Sequence, residues 1–271
     1  MPELPEVETT RRGIEPHLAG RRLQHLLVHE PRLRWPVDRS ITAATRDQLI
    51  RSVRRRAKYL LLDLEQGSLL WHLGMSGSLR ILPADVPRRL HDHVDVLLDS
   101  GQLLRFNDPR RFGSLHWLTG DVLAHPLLAA LGPEPLEPGF DGQYLHTQCR
   151  GRRVAIKQHI MNSHVVVGVG NIYASEALFR AGIRPGRAAR SLTRAQCDAL
   201  AQAIRDVLAM AIRAGGTTLR DYVGADGSPG YFRQKLYVYE RGGEPCRQCH
   251  TPIRHRVQGQ RSTYYCTHCQ A

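Results

Sequence analysis

Residues 52–81 read SVRRRAKYLLLDLEQGSLLWHLGMSGSLRI, two β-rich runs, Ser52–Leu64 and Ser68–Ile81, parted by the turn-forming cluster Glu65-Gln66-Gly67. Short apolar runs bounded by glycine and acidic residues read as strands joined by tight turns. The same texture extends in both directions. Leu23–His29 lies upstream, and His93–Leu98 and Gln102–Phe106 lie downstream, separated by Asp99-Ser100-Gly101. No long helical crossover divides these runs, so they predict antiparallel pairing in a sandwich or barrel. One helix is expected before the sheet, over Glu3–Arg12, with Gly13 as its stop.

Beyond the sheet, Leu131-Gly132-Pro133-Glu134-Pro135-Leu136-Glu137-Pro138-Gly139 holds too much proline and glycine for helix or strand and reads as a linker. Helical spacing then takes over. Thr193 and Gln196 fit a capping box, Leu200, Ile204, Val207, Leu208, Ala211 and Ile212 share one face, and Gly215-Gly216 ends the helix. Residues 217–232 turn loop-like. The expected chain is α+β and multidomain. An antiparallel β-sandwich with its N-terminal helix occupies 1–131, a linker 132–139, a helical domain 140–232, and a cysteine-rich module 233–271.

At 271 residues the chain can bury a proper core. Its net charge of +13 and pI near 10.0 call for a polyanionic partner. Lipid is disfavoured because amphipathic basic helices and lipidation signals are absent, which leaves nucleic acid as the partner and excludes the membrane. No apolar run approaches the ~20 residues of a membrane helix. With no charged stretch followed by an apolar block at the amino terminus, the expected location is the cytosol.

Of six cysteines, Cys149 and Cys197 stand apart and four lie close to the end as Cys246-x-x-Cys249 and Cys266-x-x-Cys269. Two such knuckles present four thiolates, the donor set of a closed tetrahedral Zn²⁺ site. One structural zinc per chain is expected, because four sulfur ligands leave no position for an activated water. A module this small has little core, so its fold should depend on the metal. His250 and His268 are expected to be solvated, while Arg254, Arg256 and Arg261 decorate a hairpin that turns near Gly259.

The chain opens MPELPE. Once the initiator Met is removed, Pro2 carries a secondary amine, and a terminal amine with a reference pKa of roughly 7.7 to 8.0 is partly nucleophilic at neutrality. Such an amine condenses with a sugar aldehyde to an iminium that permits elimination, and Glu3 stands beside it. Taken by themselves, the same residues read first as an ordinary helix start. Gly168-Val169-Gly170-Asn171 fits a phosphate-binding turn or an ordinary cap. Lys58 is expected to open a strand at the sheet edge. Met75 in HLGMSG and Phe112 in DPRRFG sit on loops, either as wedges between base steps or as core.

Taken in order, PELPEVE, RRAKYLLL, HLGMSGSLR, HDHVD, DPRRFG, LGPEPL, VGVGNIYASEALF, GGTT and the cysteine finger resemble the formamidopyrimidine-DNA glycosylase family from Pro2 to Gln270. The resemblance implies a β-sandwich joined to a helix-two-turn-helix domain and a β-hairpin zinc finger. It implies a monomer acting on double-stranded DNA, removing oxidised purines such as 8-oxoguanine and formamidopyrimidines and then nicking the abasic site by β,δ-elimination. By the same resemblance Pro2 is the nucleophile, Glu3 the general acid, Lys58 the proton donor in β-elimination, and Arg261 the residue of δ-elimination. His91, Arg110 and Asn171 match backbone-contacting positions, and Met75, Arg110 and Phe112 the trio that fills the gap left by a flipped nucleotide. Arg152 is chosen among Arg150-Gly151-Arg152-Arg153 as a DNA contact, and 217–231 matches the segment that closes over the base. Two departures stand out: Glu240 occupies a position where glycine is expected, and a retained Met1 would acylate the Pro2 nitrogen. The alternatives are an endonuclease VIII type enzyme for oxidised pyrimidines and a non-catalytic zinc-finger DNA-binding protein.

Overall fold

The computed structural model describes residues 2–216 and 236–271, which form two compact units, 2–129 with 214–216, and 130–213 with 236–271. In the first unit, helix α1 (Leu4–Leu18) precedes strands β1 (Arg22–Val28), β2 (Gln48–Leu49), β3 (Ser52–Arg56), β4 (Tyr59–Asp63), β5 (Ser68–His72), β6 (Ser78–Pro83), β7 (Asp92–Leu98), β8 (Gln102–Asn107) and β9 (Ser114–Leu118). A short helix α2 (Ser40–Ala44) interrupts them and α3 (Pro126–Ala129) follows. The strands form a five-stranded sheet, β2-β1-β7-β8-β6, and a four-stranded sheet, β3-β4-β5-β9, with every pairing antiparallel. Leu23, Val96, Leu104 and Phe106 of one sheet pack with Leu60, Leu62, Leu69 and Trp71 of the other in one apolar core, which Val7, Ile14 and Leu18 of α1 complete. This is the expected sandwich.

Three local expectations change. Ser52–Leu64 is a hairpin, not one strand, because Arg56 pairs with Tyr59 around the two-residue turn Ala57-Lys58, with Ala57 at φ +55°. Likewise Ser68–Ile81 divides into β5 and β6, which belong to different sheets. Helix α1 runs through Gly13 and Pro16 to Leu18, since burial of Ile14 and Leu18 outweighs a glycine penalty of about 1 kcal/mol. Gly20, at φ +79°, follows the true end. Strand β9, missed in the sequence, pairs with β5 through Ser68↔Leu118 to His72↔Ser114.

The second unit holds α4 (Gly142–Cys149), α5 (Ile156–Ile160), α6 (Asn171–Arg180), α7 (Arg194–Arg213) and the hairpin β10 (Arg254–Gln258) and β11 (Arg261–Tyr265). The linker residues contain neither helix nor strand, yet they are tied down: Gly132 N–H donates to Ser163 O (2.8 Å) and Val167 N–H to Pro133 O (3.2 Å). The capping box of α7 forms as read, with Thr193 N–H on Gln196 Oε1 (3.1 Å) and Gln196 N–H on Thr193 Oγ1 (3.3 Å). Its buried face contains all six predicted apolar residues. Before the finger, Glu240 sits at φ +57°. That left-handed geometry is why glycine would be expected there.

Helix α4 begins hard against α7, because a Cβ on Gly142 would stand 2.4 Å from Asp198 Cα. Gly142→Ala is therefore expected to lower stability by about 1–3 kcal/mol through overpacking, read as a lower denaturant midpoint.

Candidate functional site

Pro2 and Glu3 are both buried at the start of α1. Glu3 and Glu6 form a capping box in which each side chain accepts the other's backbone N–H, the Glu3 N–H donating to Glu6 Oε2 at 2.9 Å. Gly216 lies against this turn, where a Cβ would come within 3.3 Å of Glu6 Oε1. The nitrogen of Pro2 is thus held at the positive end of a helix, where an added positive charge is disfavoured. Met1 lies outside the described residues.

Lys58 is in the β3–β4 turn and not on a strand, a correction to the sequence reading that follows from the hairpin register. The turn is tied to α1 by Arg55, whose Nε meets Glu8 Oε2 at 3.2 Å and whose Nη1 donates to Ala57 O at 2.9 Å. Burial works to raise the Glu8 carboxyl, but hydrogen bonds from Arg11 and Arg12 and the charges of Arg11 and Arg55 outweigh it and hold it below its usual value. Arg54 pairs with Asp63 (2.7 Å), so two arginines of the run RRR have structural partners.

Next to the turn, the Tyr59 and His72 rings lie 4.9 Å apart. Burial first, then the charges of Lys58 and Arg34, push His72 down to about 4. Its Nδ1 accepts the Gly74 N–H at 3.0 Å, as a neutral ring can.

The loops bearing Met75, His91, Arg110 and Phe112 meet at one residue, Asp108. Fully buried Asp108 accepts Ser76 Oγ–H (2.7 Å) and Arg110 N–H (3.3 Å) at Oδ1, and Gly113 N–H (2.8 Å) at Oδ2. Its own N–H donates to His91 O (3.0 Å), and His93 Nε2 contacts its carbonyl (2.8 Å). Gly74, at φ +67°, packs so closely that a Cβ would stand 2.4 Å from Phe112 C. Phe112 is 44% exposed with the Arg110 guanidinium 4.8 Å over its ring, and Met75 is half-buried. Core packing therefore does not account for Phe112.

In the second unit, Asn171 opens α6 after Gly170, and its Nδ2 donates to Ser262 O at 3.0 Å, beside Arg261. Arg261 is exposed at the start of β11, after a turn with Gly259 and Gln260 at φ +54° and +58°. Arg152 is exposed, and so are Arg150 and Arg153, so exposure does not single one out. The proposed base-closing segment 217–231 lies outside the described residues.

The four cysteine sulfurs lie within 4.8 Å of one another, with Cys246–Cys269 at 3.9 Å and Cys249–Cys266 at 3.4 Å. Four thiolates about 2.3 Å from a tetrahedral zinc stand about 3.8 Å apart, so the donor set and its spacing fit Zn²⁺. His250 and His268 are exposed and outside the cluster. The finger has more core than its length implied: Val238 and Ile253 pack with Phe179 of α6. Buried Glu176 of α6 accepts the N–H groups of Tyr237 (2.8 Å), Val238 (2.9 Å) and Tyr239 (2.9 Å), fixing the approach to the finger, while burial pushes its carboxyl up.

Sequence reasoning missed His72, Asp108, Lys157 and Glu176. The usable signal was a charged residue inside an apolar or glycine-rich context, as in Ile156-Lys157 and Asp108-Pro109. What each one bonds is set by residues far along the chain.

Two outcomes test this geometry. His72 should stay neutral by NMR down to about pH 4; because it titrates near 6.5 when unfolded, its contribution is present above pH 6.5 and is lost as pH falls through that window to about 4. His72→Gln should flatten that part of the stability profile. Zinc chelation should open the finger to proteolysis between Cys246 and Cys269 while emission from Trp35, Trp71 and Trp117, all in the sandwich unit, stays unchanged.

Three family profiles match in order: the formamidopyrimidine-DNA glycosylase N-terminal domain over residues 1–115, its H2TH domain over 131–223, and the zinc finger found in FPG and IleRS over 243–271. The formamidopyrimidine-DNA glycosylases of Thioalkalivibrio sulfidiphilus and Alcanivorax borkumensis are 63% and 60% identical over 270 residues, covering 100% of both chains in each case. The MutM (Fpg) protein of Thermus thermophilus superposes with a TM-score of 0.89 at 40% identity, over 99% of this chain and 98% of that one. Lactococcus lactis Fpg in complex with abasic-site DNA gives a TM-score of 0.92 at 31% identity over 99% of each chain.

Proposed function

The chain belongs to the formamidopyrimidine-DNA glycosylase family, and from that premise we propose how its own residues carry out the reaction. It is a base excision repair enzyme, a DNA glycosylase with abasic-site lyase activity, and it holds a structural zinc ion. Its partner is double-stranded DNA containing damaged bases, from which we infer that it removes oxidised purines; among the described residues no helix is long and apolar enough to cross a membrane. We place the enzyme in the bacterial cytosol as a monomer. Residues 1–131 supply the nucleophile and the proton donors, and 140–232 with 233–271 grip the duplex, with Arg261 adding the last elimination.

The observation that carries the mechanism is the Pro2 nitrogen at the head of a helix locked by the Glu3–Glu6 capping box. Helix polarity there works against protonation of the amine and favours the nucleophilic form. The nitrogen attacks the sugar C1′, the bond to the damaged base breaks, and Glu3 delivers a proton to the ring oxygen as the sugar opens. The product is an iminium joining Pro2 to C1′. Loss of a C2′ proton then expels the 3′ phosphate, Lys58 donating a proton during this β-elimination. Loss of a C4′ proton expels the phosphate on the 5′ side, the δ-elimination assigned to Arg261. Water finally releases the sugar fragment from Pro2.

Access to C1′ requires the nucleotide to leave the stack, at a few kcal/mol. Met75, Arg110 and Phe112 fill the gap, a role supported by the exposure of Phe112 and by the shared anchor of their loops on Asp108. His91, Asn171 and Arg152 contact the DNA backbone.

Borohydride reduction during turnover of an 8-oxoguanine duplex should yield a covalent adduct, and peptide mapping should put the sugar fragment on Pro2. An adduct on Lys58, or full activity in protein whose mass still includes Met1, would sink the mechanism.

A further inference from the structure

Lys157 is the one buried lysine among the described residues: it is 1% exposed in α5, within the apolar context Ile156-Lys157 and Ile160. A buried ammonium costs several kcal/mol unless its three donors find acceptors. Its Nζ donates to Ser262 O at 3.0 Å and to Thr263 Oγ1 at 2.8 Å. An ammonium has no lone pair, so Thr263 Oγ1 must accept from it and is left to donate its own proton, which goes to Arg261 O at 3.2 Å. One buried cation thereby orders the carbonyls of both Arg261 and Ser262. Asn171 Nδ2 reinforces the second at 3.0 Å.

The neighbouring residue acts on the same place. Gly259 packs against Gln158 so closely that a Cβ would stand 2.0 Å from its Nε2, and the Gly259-Gln260 turn leads directly into Arg261. Successive residues of α5 therefore hold the hairpin tip and the first residues of β11. An aliphatic side chain at 157 would fill the space, but it would leave the Ser262 carbonyl with one donor fewer and let the Thr263 hydroxyl turn away from Arg261.

We propose that Lys157 is a positioning residue for Arg261, setting the backbone from which its guanidinium reaches the second phosphate, and so determines how far the lyase reaction proceeds past β-elimination. This rests on the assignment of δ-elimination to Arg261. The step itself is unchanged: a C4′ proton is lost and the C5′–O bond breaks, with no net redox change.

The test uses the full zinc-bound chain on an end-labelled duplex with a single abasic site, reading the ratio of doubly to singly eliminated product. Lys157→Met and Thr263→Val should each lower that ratio about tenfold, on the scale at which a misplacement of about 1 Å can cost up to 10²-fold. Zinc content and borohydride-trapped adduct should stay at the native level. Arg261→Ala is the reference and should lower the ratio at least as far. If Arg261→Ala lowers the ratio and both other variants leave it unchanged, or lower both products equally, the positioning role is wrong. If Arg261→Ala leaves the ratio unchanged, the assignment of Arg261 itself fails, and this inference with it. Should Lys157→Met lose zinc, Thr263→Val, which keeps side-chain shape and the buried cation, decides alone.

Discussion

The proposed mechanism depends on holding the Pro2 nitrogen still at the start of a helix. A free chain end ordinarily frays, because nothing beyond it offers contacts. Here the reciprocal Glu3–Glu6 pair closes the first turn, Pro5 restricts its backbone, and Gly216 covers it. From that turn the constraint passes along α1 to Glu8, across to Arg55, and through the Ala57 carbonyl to the turn that presents Lys58. Proposed nucleophile and proton donor thus share one frame, although 56 positions separate them.

A second device recurs in both units: a buried charged side chain whose partners are mostly backbone groups of a loop. The Asp108 carboxylate gathers the loops of Met75 and Phe112, Glu176 gathers three successive N–H groups ahead of the finger, and Lys157 orders the start of β11. Arg105 in the five-stranded sheet joins both kinds of partner, bidentate on Asp95 (2.8 and 2.9 Å) and with Nη1 on the carbonyls of Val86 and Pro87. Loops that must present polar or apolar side chains to a partner cannot be held by burying those side chains. A directional bond to their backbone holds them instead, and its loss leaves groups unsatisfied at about 1–3 kcal/mol each.

Zinc serves the same end where chain length is short. Val238, Ile253 and Phe179 give the finger a small core, and the four sulfurs fix the two knuckles that the core alone does not specify. The finger's approach carries a strained residue, Glu240 at φ +57°, which the surrounding bonds of Glu176 overrule.

The amino-acid sequence by itself determined what depends on neighbours within a few positions: alternating runs that pair antiparallel, the apolar face and cap of α7, the two cysteine knuckles, and the ordered motifs that mark the family. Local pattern failed where distant burial or turn geometry prevailed. Gly13 does not stop α1 because Ile14 and Leu18 are buried, and Lys58 lies in a turn whose glycine-free Ala57 gives no signal. Only the tertiary structure decided that Asp108 joins three loops and that Lys157 reaches Ser262 and Thr263 over a hundred residues away. The reason is physical: periodicity records which face of an element is buried, whereas the partner of a buried charge is whatever group the finished fold brings within 3 Å of it.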